Sequence, residues 1–255
     1  MTRDVVATKN PVAWLPTGLR SELLRYFSGY SVVGILAFSA LVPWFVANFV
    51  GWPGNSGELS AAQNVQVFWA LAASIAPVAT FTGSYLVTRE SYYGTLRRSI
   101  VMTGPRQVLR AKYVAALVIG LATAITGVVV WGGSVALSLP PEVRGALLSA
   151  ESWRELPGVV MASALGSIWG CSLGWIIRHY YATTILTLLI PLAVELPLLL
   201  SSSEVARWLP SGALAGIASL PFEGLLEPVR AFLVSCGWLT VAGAGAVRTV
   251  KGREF

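Results

Sequence analysis

Charge is scarce in this chain: only 12% of its 255 residues are Asp, Glu, Lys or Arg, against 55% that are hydrophobic. A soluble domain of this length carries roughly 25% charged residues, so the bulk of the chain belongs in lipid. Histidine occurs once, at His179, which leaves no material for a histidine metal site or for Ser–His catalysis. The three lysines, Lys9, Lys112 and Lys251, lie outside any Gly-x-x-x-x-Gly-Lys-Ser/Thr pattern. The chain therefore has no phosphate loop of its own and is not itself an ATPase. The two cysteines, Cys171 and Cys236, both fall in apolar runs and read as small buried residues rather than metal or redox groups. No internal repeat or low-complexity tract stands out. No cleavable signal peptide is expected either, because the first 29 residues are polar and no A-x-A-like site follows the first apolar run.

What is abundant is apolar sequence in blocks of about twenty residues, the length of a membrane-spanning helix. Six such runs occur: Tyr30–Val50, Val65–Thr88, Tyr113–Leu139, Pro157–Ile177, Ala182–Leu200 and Arg230–Val247. They are apolar all round, whereas barrel strands alternate and are about ten residues long. The expected fold is an all-α integral membrane protein with six transmembrane helices.

With six spans both termini share one side. That side collects fourteen of the eighteen basic residues: Arg3, Lys9, Arg20, Arg25, six between positions 89 and 112, Arg178, Arg248, Lys251 and Arg253. The other side holds Arg144, Arg154, Arg207 and Arg230, together with seven glutamates. Basic residues flanking spans mark the cytoplasmic face, so both termini and the 89–112 loop are expected in the cytoplasm of a multi-pass inner-membrane protein. The net charge of +6 reflects this topology rather than nucleic-acid binding.

Ahead of the first span, Thr17–Tyr30 is helix-compatible, with Thr17 as its expected N-cap. Leu19, Leu23, Phe27 and Tyr30 recur at helical spacing, with Glu22 and Arg25 elsewhere on the turn. This reads as an amphipathic helix on the inner leaflet, bent at Gly29 before the first span, or else as a simple upstream extension of that span. On the outside, residues 201–229 hold an apolar piece, GALAGIASL, too short to span and too apolar for a free loop. A helical hairpin dipping into the outer leaflet is expected there. Residues 248–255 form a short cytoplasmic tail.

The 89–112 loop, RESYYGTLRRSIVMTGPRQVLRAK, carries six basic residues and one acid, Glu90. A mid-membrane Arg or Lys costs at least about 2.5 kcal/mol, so this segment is a polar loop. The second span is expected to run on to Glu90 and Gly94 to permit a turn. Thr95 is expected to cap a short helix over Leu96–Met102, ended by Thr103-Gly104-Pro105, with Pro105 opening the next helix. Arg106, Arg110 and Lys112 are expected to snorkel at the headgroup level. A plain orientation anchor would need no helix bounded at both ends.

Within the spans Glu195 is the one acid, flanked by Pro191 and Pro197. It is either a functional carboxylate or a structural one serving backbone groups freed by the prolines. Trp44, Asn48, Gln66, Phe68 and Trp69 either line a substrate path or anchor the membrane interface. An intramembrane serine protease needs a histidine facing Ser167 or Ser172, and the sixth span has none.

Arg89-Glu90, Tyr93-Gly94-Thr95-Leu96-Arg97, Pro105-Arg106 and Ala111-Lys112 resemble the cytoplasmic loop of ABC-2 type transporter permeases. Those proteins commonly show a Glu, a Gly-Thr and a Pro-x-x-Arg…Ala-Lys in this order between the second and third spans; here Arg106 follows Pro105 directly. Leu19-Arg20-Ser21-Glu22-Leu23 is similar to the segment before their first span, and the topology matches along the whole chain. The resemblance implies the permease half of an ATP-driven exporter of lipophilic or amphiphilic substrates. Separate ATPase subunits would carry ATP and Mg, no cofactor or metal would sit on this chain, and a second permease chain, identical or paralogous, would complete the pair. Spans one, two and five would line a central path that opens alternately to either side. Residues 89–112 would be the coupling loop, with Glu90, Tyr93, Gly94, Thr95, Arg97 and Arg98 its working residues. The interfacial helix, with Leu19, Glu22, Leu23 and Phe27, would brace it. The alternatives are a proton-coupled secondary transporter using Glu195 and a non-transporting scaffold or regulatory subunit.

Overall fold

A computed structural model describes residues 14–252. All regular structure among them is helical, and six stretches are long and apolar enough to cross a membrane. They are Tyr30–Val50, Ala61–Tyr92, Pro105–Ser138, Ser152–Ile177, Tyr180–Leu199 and Pro228–Gly252. Each coincides with one of the six apolar runs, so the chain is an all-helical, multi-pass membrane protein. Arg3, Lys9 and Arg253 of the basic side lie outside the described residues.

Helix α1 (Trp14–Phe27) precedes the first span, α2 (Tyr30–Val50), and the chain turns between them at an extended Gly29. Because α1 already begins at Trp14, Thr17 lies inside it and is not its cap. The second span is two helices, α3 (Ala61–Ala73) and α4 (Ile75–Tyr92), interrupted at Ser74. Pro77 explains the break, since it cannot donate the backbone hydrogen bond that would carry the helix through this turn. Beyond α4 come α5 (Thr95–Thr103) and the third span, α6 (Pro105–Ser138). The loop between the third and fourth spans folds as α7 (Pro141–Leu147) and a 3₁₀ turn, leading into the fourth span, α8 (Leu156–Ile177).

The fifth span departs most from an ideal helix. It starts as α9 (Tyr180–Thr184), passes through π-helical turns at Ile185–Leu189 and Pro191–Glu195, and ends as α10 (Leu196–Ser201). Pro191 and Pro197 each remove an amide donor, and wider turns take over the interrupted ladder. Two short helices, α11 (Ser203–Ala206) and α12 (Pro210–Ile217), occupy the stretch where the hairpin is expected. The chain beyond α12, 218–227, is irregular, with Pro221 in it and Gly224 at φ +82°. The sixth span, α13 (Pro228–Gly252), continues as helix through most of the expected tail.

Packing places the second and fourth spans at the centre. The apolar window of the second is 61% buried, against 19% for the fifth. Gly166, Gly170 and Gly174 recur every fourth residue on α8, and side chains added at the latter two would strike the backbone of α4 at Thr80 and Ser84. Gly83 of α4 returns the contact, meeting the Ser167 backbone. Small residues let membrane helices approach until their backbones touch.

Two buried clusters cap the bundle. At the end remote from α5, Trp131 stacks on Phe68 at 5.8 Å between centroids and meets Trp44 edge-on at 5.2 Å. Asn64, fully buried there, accepts from Trp52 Nε1 at 2.9 Å and donates to the Ser56 carbonyl at 2.9 Å. At the opposite end Tyr26 of α1, Leu96 and Ile100 of α5, Ile119 of α6, Trp175 of α8 and Val250 of α13 form the second cluster. This end carries the charged site.

Candidate functional site

The loop between the second and third spans is built by two glycines. Gly94 has φ +69° and Gly104 φ +90°, backbone conformations that side chains with a Cβ rarely adopt. Between them α5 presents Leu96, Ser99 and Ile100 inward at helical spacing and leaves Arg97, Arg98, Val101 and Met102 outside. Pro105 then opens α6 in the first turn, where its missing N–H is no loss. The boundaries match the sequence reading, but the capping residue does not. Gly94 holds the N-cap position, while Thr95 is the first helical residue and its Oγ1 donates to the Glu90 carbonyl at 3.4 Å.

Beneath α5 lies a cluster of four charges from three elements. Lys112 of α6 is completely buried, its Nζ 2.8 Å from Glu22 Oε2 of α1 and 3.0 Å from Glu90 Oε1 of α4. It also donates to the Leu86 carbonyl at 2.9 Å. Arg25 of α1 closes the group from the outside, with Nη1 3.2 Å from Glu22 Oε1, 3.4 Å from Glu90 Oε1 and 3.1 Å from Ser99 Oγ of α5. Ser99 Oγ lies 3.5 Å from Glu90 Oε2. Two carboxylates face two cations, so the cluster is neutral, and each buried charge has partners of opposite sign. That arrangement is what makes burial of ions tolerable.

Lys112 therefore does not snorkel to a headgroup. Its side chain points into the protein, whereas Arg106 and Arg110 are exposed. Helix α1 is also rotated relative to the expected amphipathic face. Glu22 and Tyr26 are buried against the bundle, Leu19 and Leu23 are half-buried, and Phe27 is 56% exposed. The Tyr26 phenol sits beside Thr82, and burial pushes its pKa well above the ordinary tyrosine range.

Of the six expected coupling residues, Glu90 is in the buried cluster, whereas Tyr93, Gly94, Thr95, Arg97 and Arg98 are exposed together around α5. Rings continue this surface sideways: Tyr92 meets Tyr180 and Tyr181 at centroid distances of 6.0 and 6.2 Å. Ser91 Oγ donates to the Arg178 carbonyl at 3.0 Å and ties the loop to the fourth-to-fifth turn.

Comparison with protein-family models and with curated proteins finds no match. The site must therefore be interpreted from its own chemistry. Among the described residues no three His, Cys, Asp or Glu side chains come together to hold a metal. The buried carboxylates are already engaged by Lys112 and Arg25.

The residues expected along a substrate path are not gathered into one channel within this chain. Phe68 and Trp69 are packed in the buried cluster around Trp131, with Trp69 Nε1 donating to Ser152 Oγ at 2.9 Å. Trp44 Nε1 donates to Ser134 Oγ at 2.8 Å, Asn48 is exposed and bonded to the Trp44 carbonyl, and Gln66 is exposed. Glu195 accepts from the backbone N–H of Ser211 at 2.9 Å, in the first turn of α12. A carboxylate there complements the helix dipole. Glu195→Gln keeps an acceptor but loses the charge, and the expected loss of stability is under about 1 kcal/mol. A drop in the unfolding midpoint of the purified protein as large as that for a core cavity would contradict this structural role.

Sequence reasoning missed Lys112, Arg25 and Ser99 as members of one site with Glu22 and Glu90. The pairing joins positions 90 residues apart, and no local period encodes it. The glycine spacing on α8 was a visible signal for the central packing.

Proposed function

We propose that the chain is the permease subunit of an ATP-driven exporter of the ABC-2 type, working with separate ATPase subunits and a second permease chain in the cytoplasmic membrane. The observation that carries this reading is α5. It is a short helix bounded at both ends by glycines with positive φ, with Arg97, Arg98, Val101 and Met102 exposed on its outer face and Tyr92 and Tyr93 exposed just before it. Its inner face is fastened through Ser99 to Arg25 of α1 and Glu90 of α4, and Glu90 is in turn paired with Lys112 of α6. A load applied to such a helix passes into the second and third spans rather than being absorbed by a loose loop. The basic outer face favours an acidic or dipolar surface on the ATPase, where complementary charge guides association. In this reading α1 lies along the inner leaflet, both termini are cytoplasmic, α12 dips into the outer leaflet, and the cargo is lipophilic or amphiphilic.

The test is co-purification with a stoichiometric ATPase whose turnover depends on this chain. Arg97→Glu with Arg98→Glu, both exposed, is expected to weaken that association about tenfold or more while leaving the unfolding midpoint in place. Gly94→Pro is expected to abolish coupled transport with membrane insertion intact, because proline fixes φ near −65° where the chain needs +69°. Glu90→Ala separates coupling from folding less cleanly, since it also unbalances the buried cluster. Transport by the purified chain alone under a proton gradient would overturn the exporter reading. An unchanged partner affinity in the double arginine variant would remove α5 as the docking element.

A further inference from the structure

Between α1, the end of α4 and α5 opens a cleft of about 760 Å³, within the size range of small-ligand sites. Three guanidinium groups line it, those of Arg25, Arg89 and Arg98. Glu22 and Glu90 line it too, but their charges are matched by Arg25 and the buried Lys112. Subtracting that neutral group leaves the two positive charges of Arg89 and Arg98, for which no ion pair forms among the described residues. Arg89 is held in place before any ligand arrives. Its Nη1 donates to the Arg25 carbonyl at 3.4 Å, and its guanidinium lies 5.7 Å from the Tyr85 ring centroid. A pre-oriented guanidinium facing a roomy cleft matches the geometry of a phosphate, which accepts paired N–H donors.

An apolar groove of about 460 Å³ runs along the neighbouring side of α1, lined chiefly by Leu19, Leu23, Leu24 and Phe27. A soluble phosphate has no use for that groove, whereas the acyl chain of a lipid does.

We propose that this cleft binds the phosphate headgroup of an anionic phospholipid through Arg89 and Arg98, with an acyl chain along the apolar groove of α1. The bound lipid offsets positive charge at the junction of α1, α4 and α5; Arg98 is shared with the face of α5 proposed to dock the ATPase, whereas Arg89 is not. Clustered basic side chains at a membrane surface each gain about 1 kcal/mol from anionic lipid, so two aligned arginines give a measurable preference.

The full-length chain, purified in an uncharged detergent, is titrated with phosphatidylglycerol, phosphatidylcholine or inorganic phosphate while its thermal unfolding is followed. A ligand that binds only the folded state raises the midpoint saturably. Phosphatidylglycerol is expected to do so, and the other two are not at equal concentration. Arg89→Gln with Arg98→Gln is expected to shift half-saturation about tenfold or more, the scale of losing charge-assisted hydrogen bonds. Arg106→Gln with Arg110→Gln, exposed but outside the cleft, is expected to leave it within about twofold, as surface substitutions do. Should the first pair aggregate, Arg98→Gln alone is read, since that side chain is exposed and its loss leaves the contacts of Arg89 intact. An equal response to phosphatidylcholine, no response to phosphatidylglycerol, or an equal loss in both double variants would overturn the proposal. A response to inorganic phosphate matching that to phosphatidylglycerol would overturn the lipid assignment in favour of a soluble phosphate.

Discussion

Lys112→Met is expected to destabilise the protein by about 3–5 kcal/mol, the range for removing one partner from a buried ion pair. The ammonium group is fully buried and touches both Glu22 and Glu90, so its loss leaves two carboxylates facing each other with only the half-exposed Arg25 between them. The loss also removes the second donor that the Leu86 carbonyl has beyond the backbone bond of its own helix. A denaturant-detergent unfolding series on the purified chain measures this directly. The triple variant Lys112→Met, Glu22→Gln, Glu90→Gln is expected to recover much of the loss, because it buries no uncompensated charge. If the single variant matched the wild type, or the triple variant were worse than the single, the neutral cluster would not hold this end of the bundle together.

Gly170→Ile is expected to have the second-largest effect, about 3 kcal/mol, at the upper end of overpacking costs. A Cβ at this position collides with the backbone carbonyl of Thr80, and backbone in a packed helix cannot rotate away as a side chain can. Helices α4 and α8 must then separate along the glycine face, opening the centre of the bundle. Gly133→Ile is the matched control: that glycine is exposed on α6, and an added Cβ meets nothing within 4 Å. Its unfolding midpoint is expected to stay close to the wild-type value. Equal midpoints for the two variants would contradict the close approach.

Much of this architecture could be read locally, because lipid imposes a simple rule on sequence. A run such as Tyr30–Val50 has no stable place except across a bilayer, and the six helices fall where the runs fall. Gly94 and Gly104-Pro105 marked the ends of α5 because left-handed turns and a first-turn proline have few other uses. What stayed hidden was pairing at a distance. Glu22 looks like the polar face of an amphipathic helix, and Lys112 like a headgroup anchor, as long as each is judged by its neighbours in the chain. Only the packing of α1 on α6 turns the two side chains toward each other. The same limit applies to Trp69, whose bonding to Ser152 depends on how the loop between the third and fourth spans folds back. Thr95 misled for a different reason: a threonine after a glycine is a good cap in general, but here the glycine itself takes that position.

The ion pair between Glu22 and Lys112 also sets a constraint on biosynthesis. The ribosome emits the carboxylate first, and its ammonium partner follows 90 residues later. At translation rates of about 5–20 residues per second, that gap lasts on the order of ten seconds. Throughout it the N-terminal helix cannot seat against a bundle that does not yet exist, and its acid must remain in water or among lipid headgroups. Seating of α1 is consequently a late event in assembly, permitted only once the second and third spans have entered the bilayer and brought Glu90 and Lys112 together.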